Sequence, residues 1–212
     1  MARTDLTRER HRGSDDIAEL HRLLDTQMVG HVGIQTDNGP LVIPTAIARF
    51  ESQLLMHGSV ASGWMRLAKK GNQVSVAVTQ VDGIIVARSA FESSIRYHSA
   101  VIFGTPQLVA DDRKLWALTV MTEKLIPGRT AEIRQPTEKE IAQTMVLSLP
   151  IEEWSLKISD GWPNDGPDDR ASAVWAGVVL EGRRLRSILP APDLNVVAEV
   201  PASVRALGEP AS

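Results

Sequence analysis

Two short apolar runs separated by a polar break constrain the fold of this chain more than any other feature. The first run occupies residues 40–49 and the second residues 53–59, and both are rich in Val, Ile and Leu. Runs of this length are too short for helices and predict a pair of buried strands. Pro44 lies inside the first run and cannot donate a backbone hydrogen bond, which predicts that it occupies a sheet edge or a bulge.

The end of the second run combines features that suit an anion. His57, Gly58 and Ser59 lead directly into a helix predicted over residues 61–70. Free backbone N–H groups at a helix start, together with a hydroxyl and a permissive glycine, predict a place that could hold a negatively charged group. His57 is interpreted either as a structural histidine or as a ligand-binding residue, and the sequence leaves both interpretations open.

The remaining pattern predicts a mainly β protein with peripheral helices. Short turns join most of the strands, which favours an antiparallel barrel over a parallel wound sheet. We expect an N-terminal arm over residues 1–14, a barrel domain over 15–180 and a C-terminal tail over 181–212. Helices are predicted over residues 16–26, 61–70, 112–125 and 138–143, and further strands over 28–36, 73–80, 83–90, 99–109, 144–149, 153–158 and 173–180.

Composition excludes several classes of protein. The chain has 212 residues and no cysteine, so disulfide frameworks and thiolate metal sites are excluded. The dispersed histidines match no zinc motif, and no metal site is predicted. A net charge of -3 gives no reason to expect a nucleic-acid partner. No apolar run approaches the roughly 20 residues that span a bilayer, and the charged start is not a secretory signal, so we expect a cytoplasmic protein with no membrane partner.

Charged side chains within apolar surroundings mark a second region of interest. Arg88 lies in the apolar segment 84–90, where a buried charge needs either an anionic ligand or a core acid as its partner. The sequence leaves both partners open. Arg96, Tyr97 and His98 precede a further strand, and strand alternation predicts that Arg96 and His98 share one face while Tyr97 lies on the other.

These motifs, taken together, resemble one protein family. The resemblance covers about residues 18–180 and is to the FMN-binding, pyridoxamine 5′-phosphate oxidase-like proteins, especially the subgroup related to nitroimidazole-resistance proteins. The motifs that carry it are Val42-Ile43-Pro44-Thr45, Met56-His57-Gly58-Ser59, Ala61-Ser62, Val78-Thr79, Asp82-Gly83, Ala87-Arg88-Ser89-Ala90-Phe91, Tyr97, Ser99, Phe103-Gly104, Leu125-Ile126-Pro127-Gly128-Arg129, Pro150-Ile151-Glu152-Glu153 and Val174-Trp175-Ala176-Gly177-Val178.

The resemblance implies a fold, a cofactor and a set of binding residues. It implies a six-stranded antiparallel split β-barrel that forms a homodimer and holds FMN at the dimer interface. The leading hypothesis is therefore an FMN-dependent oxidoreductase that acts on a small-molecule substrate, with no catalytic residue assigned. The cofactor-binding residues implied are Val42, Ile43, Pro44, Thr45, His57, Gly58, Ser59, Ser62, Thr79, Arg88, Arg96, Tyr97, His98 and Trp175.

Two departures from the family pattern open alternatives. Its close relatives carry arginine where this chain has Gly63 and His98. Arginine binds phosphate through parallel hydrogen bonds, so the loss predicts weaker FMN binding unless Arg66 or Arg96 substitutes. One alternative is a haem b protein on the same barrel, with His57 or His98 as the axial ligand. The other is a binding protein without a cofactor.

Overall fold

The strands of the protein form one large antiparallel sheet and a small separate pair. The computed structural model describes residues 3–6, 9–181, 187–188, 200–206 and 209–210. The strands are β1 (Gly13–Ser14), β2 (Val29–Thr36), β3 (Gly39–Phe50), β4 (Gln53–Ser59), β5 (Val74–Val86), β6 (Ser94–Gly104), β7 (Gln107–Leu108), β8 (Thr144–Pro150), β9 (Glu153–Ser159), β10 (Gly177–Leu180), β11 (Ser187–Ile188) and β12 (Glu209–Pro210).

Short helices surround the sheet. Helix α1 buries Leu20, Leu23 and Leu24 completely, and the Asp16 carboxylate caps it by accepting the Ala18 N–H at 2.8 Å. At the start of the fourth helix, Thr137 and Glu140 form a capping box. The helices are α1 (Ile17–Thr26), α2 (Gly63–Lys69), α3 (Lys114–Leu125), α4 (Glu138–Gln143), α5 (Pro167–Arg170) and α6 (Ala202–Arg205), with single 3-10 turns at Arg10–Arg12, Asp111–Arg113 and Arg129–Ala131.

Strand β3 exchanges partners halfway along its length. The large sheet runs β1-β9-β6-β5-β2-β3-β4-β8-β7, with β10 added beside β5, and its path is not closed. Residues 39–46 of β3 pair with β2, whereas residues 47–50 pair with β4. Pro44 lies opposite His31 in the half that is paired only with β2, so the predicted edge position is confirmed.

Two apolar clusters hold the layers together. The larger one lies between the sheet, α1 and α2, and includes Val32, Val76 and Ile102. The smaller one lies between α3 and the neighbouring strands, and includes Leu55 and Val146. The predicted class, a mainly β fold with peripheral helices and a split-barrel arrangement, is confirmed. The large sheet has ten strands among the described residues, because the short strands β1, β7 and β10 extend the long ones.

The two strands predicted over residues 73–80 and 83–90 are in fact one. Strand β5 runs without a break from Val74 to Val86, and its register with β6 shifts between Val81 and Gly83. The Asp82-Gly83 pair, which the sequence suggested was a turn, is absorbed as a β-bulge. Likewise β6 begins at Ser94, earlier than predicted, and only the end of the predicted strand 173–180 is extended.

Both termini reach back to the barrel where they are described. The segment predicted as an arm pairs through β1 with β9, and the Arg3 guanidinium contacts both Glu153 carboxylate oxygens at 2.5 and 2.6 Å. In α6 the Ser203 hydroxyl donates to Glu132 at 2.5 Å. Most of the predicted tail, including the basic run 183–186, lies outside the described residues.

The bulge glycine leaves room for the neighbouring strand, which yields a first prediction. Strand β10 passes so close to Gly83 that an added Cβ would collide with the Val179 carbonyl oxygen. We expect Gly83→Ala to detach β10, and amide hydrogen exchange at residues 177–180 to accelerate. Gly161→Ala is the control, because a Cβ at Gly161 meets nothing within 4 Å. Unchanged exchange at β10 in the Gly83 variant would contradict the account.

Candidate functional site

The sheet presents one face that the main core does not cover. His31, Pro44, Ala77 and Val101 lie side by side on four adjacent strands. They alternate with the buried residues of the main cluster, so they face away from it. We call this surface of β2, β3, β5, β6 and the paired β10 the outer face.

The predicted site residues divide between this outer face and the opposite one. Val42 and Pro44 of β3, Thr79 of β5 and Tyr97 of β6 belong to the outer face, by strand alternation and register. His31 lies among them and was not identified from the sequence, although its place between the buried Gly30 and Val32 is the signal that could have found it. The residues on the opposite face are Ile43, Thr45, Arg96 and His98.

His57 lies on β4 with one ring nitrogen unsatisfied. Its neighbours Met56 and Gly58 face the main core, so His57 points to the side occupied by Leu55 and α3. The ring is half-buried, and its buried Nδ1 has no hydrogen-bond partner among the described residues. Burial lowers the pKa of His57, because the charged imidazolium loses solvation. The neutral ring, which is the form that ligates metals, is therefore favoured near neutral pH.

The segment after His57 is held by its own contacts. The Ser59 hydroxyl accepts the Ala61 N–H at 3.2 Å, and Ser62 precedes α2 without a side-chain capping bond. A Cβ on Gly58 would lie 2.6 Å from the Met65 sulfur, so any larger residue there would require the Met65 side chain to move. The anion-binding site predicted at the start of α2 stays a prediction.

His98 is held by acidic side chains. Its Nδ1 lies 2.7 Å from an Asp82 carboxylate oxygen, and its Nε2 lies 3.9 Å from Glu19 on α1. Gln80 donates to the other Asp82 oxygen at 2.6 Å. The bulge thus places a carboxylate beside His98, which the sequence did not indicate. The predicted contact of His98 with an FMN phosphate stays a prediction.

Arg88 has the core acid that was one of its two predicted partners. Asp165 accepts the Arg88 backbone N–H at 2.8 Å and a guanidinium N–H at 2.9 Å. Asp165 is only 2% exposed, although it lies in a segment rich in Gly, Pro and Asp, a composition typical of a solvated loop. The Nε atoms of Arg88 and Arg96 are buried without a partner among the described residues.

A single chain does not bring all the predicted residues together. Ser59 lies on β4 and Arg96 on β6, with β3, β2 and β5 between them. At about 4.8 Å per strand, the two strands are roughly 19 Å apart along the sheet. Trp175, by contrast, precedes β10 and is 65% exposed, with its ring lying over Gly177. The predicted residues are therefore spread over several strands and the segment before β10.

The described part of the chain contains neither a membrane-spanning helix nor a cluster of metal-ligating side chains. No helix there has the length and apolar character needed to cross a membrane. No group of three or more metal-ligating side chains is found in the same residues.

Comparison with known families gives the chain its class. The family model described as pyridoxamine 5′-phosphate oxidase matches residues 16–158. The chain belongs to the pyridoxamine 5′-phosphate oxidase-like family, and the resemblance predicted from the motifs is confirmed. A search of curated proteins found no match.

Solved structures refine this placement. The chain is similar to the FAD and haem binding protein of Mycobacterium smegmatis, at 43% identity over 93% of this chain and 97% of that one, with a TM-score of 0.90. It is also similar to the flavocytochrome Anf3 of Azotobacter vinelandii, at 28% identity over 98% and 97% of the two chains, with a TM-score of 0.91. A structure from Bacteroides thetaiotaomicron, whose name assigns it to 5-nitroimidazole antibiotic resistance, shares the fold at 17% identity over 69% and 86% of the chains and a TM-score of 0.59.

The buried partner of Arg88 yields a second prediction. Asp165→Ala removes the acceptor of two hydrogen bonds and leaves a partly buried guanidinium without its counter-ion. We expect the free energy of unfolding to fall by about 2–3 kcal/mol, measured by urea denaturation. Asp169→Ala is the matched control, because Asp169 is an exposed acid in the same loop. A loss equal to that of the control would show that the pair contributes nothing.

Proposed function

We propose that this chain is a flavin- and haem-binding redox protein that acts on a small-molecule substrate. The observation that carries the proposal is the 43% identity, over 93% of this chain, to a protein named for binding FAD and haem. The similarity to a flavocytochrome supports it. A bound flavin supplies hydride or electron transfer and a haem iron supplies single-electron exchange, while the protein positions them and excludes water.

The flavin is proposed to lie against the outer face. Val42, Pro44, Thr79 and Tyr97, all among the residues predicted to bind it, share that face. Val42 and Pro44 offer an apolar wall for a flat ring, whereas the hydroxyls of Thr79 and Tyr97 can hydrogen-bond to ring heteroatoms. FMN was the cofactor suggested by the motifs. We propose FAD instead, because the relative with 43% identity is named for FAD.

His57 is proposed as the haem ligand. Its buried Nδ1 has no partner among the described residues, and its lowered pKa favours the neutral ring. His98, the other histidine considered, has Nδ1 at 2.7 Å and Nε2 at 3.9 Å from carboxylate oxygens. A histidine held in this way is less free to bind iron, so the contacts favour His57. Here the role of the protein is to present a neutral imidazole from a rigid strand.

A second copy of the chain is proposed to cover the outer face. Val179, Ile84 and Ile95 lie side by side on β10, β5 and β6, and they are 52%, 52% and 46% exposed. Val29 and Val81 extend this apolar surface at 46% and 45% exposure. Contiguous apolar surface of this kind is typical of an interface.

The spectrum of the purified protein tests the cofactors. We expect a Soret band and flavin absorbance together, and we expect His57→Ala to abolish or shift the Soret band while the flavin absorbance is retained. Because burial lowers the pKa of His57, the band should persist as the pH falls below the ordinary histidine pKa of about 6.5.

The control for this experiment is His98→Ala, which should leave the Soret band in place. A band that moves only in the His98 variant would reject His57 as the ligand. A protein that takes up flavin but no haem would reject the haem half of the proposal. A protein that takes up neither would leave the hypothesis of a cofactor-free binding protein.

The dimer is tested by a charge on the outer face. We expect Ile84→Glu to convert a dimer into a monomer, measured by size-exclusion chromatography with light scattering, because an unpaired carboxylate would be buried in the interface. Ile133→Glu is the control, since Ile133 is similarly exposed, at 44%, but lies outside the sheet. A monomeric wild-type protein at micromolar concentration would reject the proposal.

A further inference from the structure

A groove beside α2 has the features of a nucleotide site. It lies between the turn that joins β2 to β3 and the exposed side of α2, and its volume is about 570 Å³. Ligand pockets typically measure about 300–1,000 Å³, so the groove is large enough for half of a dinucleotide. The residues that line it are Thr36, Asn38, Leu41, Gly63, Trp64, Arg66, Leu67 and Lys70, and no carboxylate is among them.

The two cations of the groove are not neutralised by the protein. Within the described residues, neither Arg66 nor Lys70 has an ion pair or a side-chain hydrogen bond, whereas Arg49 and Arg88 are each paired with an aspartate. Both are exposed and lie on one side of a helix, one turn apart, where they can contact the same ligand. Two unpaired cations beside an apolar wall favour a phosphorylated ligand.

The groove also provides surfaces for a planar base. Trp64 is half-buried against the main core, so its ring is fixed in place, and Leu41 and Leu67 flank it. Gly63 opens the groove, because a Cβ there would meet nothing within 4 Å. This is the position where the sequence departs from the arginine of its close relatives. Glycine instead of arginine at position 63 therefore removes a positive charge from the start of α2 and leaves open space at the mouth of the groove.

We propose that this groove binds the adenosine monophosphate half of FAD. The inference rests on the proposed flavin function and specifies which flavin the chain selects. Gly63 directly follows Ser62, one of the residues predicted to bind the flavin, so the groove begins one residue beyond that predicted contact. Arg66 and Lys70 contact the second phosphate, and Trp64 packs against adenine. FMN ends before the groove and makes none of these contacts.

Matched variants test the subsite. The full-length protein, freed of flavin and checked for fold by circular dichroism, is titrated with FAD and with FMN, and bound flavin is followed by fluorescence. We expect Lys70→Ala to weaken FAD binding about tenfold, which corresponds to about 1.4 kcal/mol, and to leave FMN binding unchanged. Arg66→Ala should weaken FAD binding more than FMN binding, because Arg66 was also considered as a contact for the FMN phosphate. Lys69→Ala is the control, because it removes the same charge from α2 but Lys69 does not line the groove.

A fourth variant asks whether the open space matters. We expect Gly63→Arg to weaken FAD binding by filling the mouth of the groove, while FMN binding is retained or strengthened. Variants that leave FAD binding unchanged, or that weaken FAD and FMN equally, would overturn the subsite and leave flavin binding intact. A wild-type protein that binds neither flavin would overturn the proposed function, and the subsite with it.

Discussion

The exchange of partners along β3 is the constraint on which the rest of the structure depends. Its first half is bonded to β2 and its second half to β4, so one strand joins both parts of the split sheet. The arrangement provides an edge where Pro44 needs no ladder hydrogen bond. It also lets β4 extend past its contact with β3 and pair with β8, and this extension carries His57.

Contacts with carboxylates separate the charged groups of this chain into two kinds. Arg88 and His98 lie beside Asp165 and Asp82, so the protein itself supplies a carboxylate to each of them. Such contacts orient elements, since Asp165 ties its loop to the end of β5. Among the described residues, the Nδ1 atom of His57 and the side chains of Arg66 and Lys70 have no such partner. A buried polar atom without a hydrogen-bond partner costs free energy, and clustered like charges repel each other. A ligand that pairs with these groups relieves both costs.

Much of the fold could be predicted from local pattern. The alternation in β2 and the helical spacing of Leu20, Leu23 and Leu24 in α1 correspond to the structure, because they depend on neighbouring residues. The bulge in β5 was missed, because Asp82-Gly83 suits a turn and a bulge equally well, and only the register with β6 decides between them. The residues predicted to form the site lie on both faces of the sheet, which the motifs alone did not indicate.

By itself the sequence determined the fold class, most of the long strands and helices to within a few residues, and the family, since periodicity and motifs are properties of short segments. Only the tertiary structure decided which charges are neutralised. Asp165 is 77 residues from Arg88 and Asp82 is 16 residues from His98, so no local pattern links them. The same holds for the groove beside α2, whose walls come from a turn and a helix separated by a strand pair. Electrostatic partnership acts through space, and the fold alone determines which groups become neighbours.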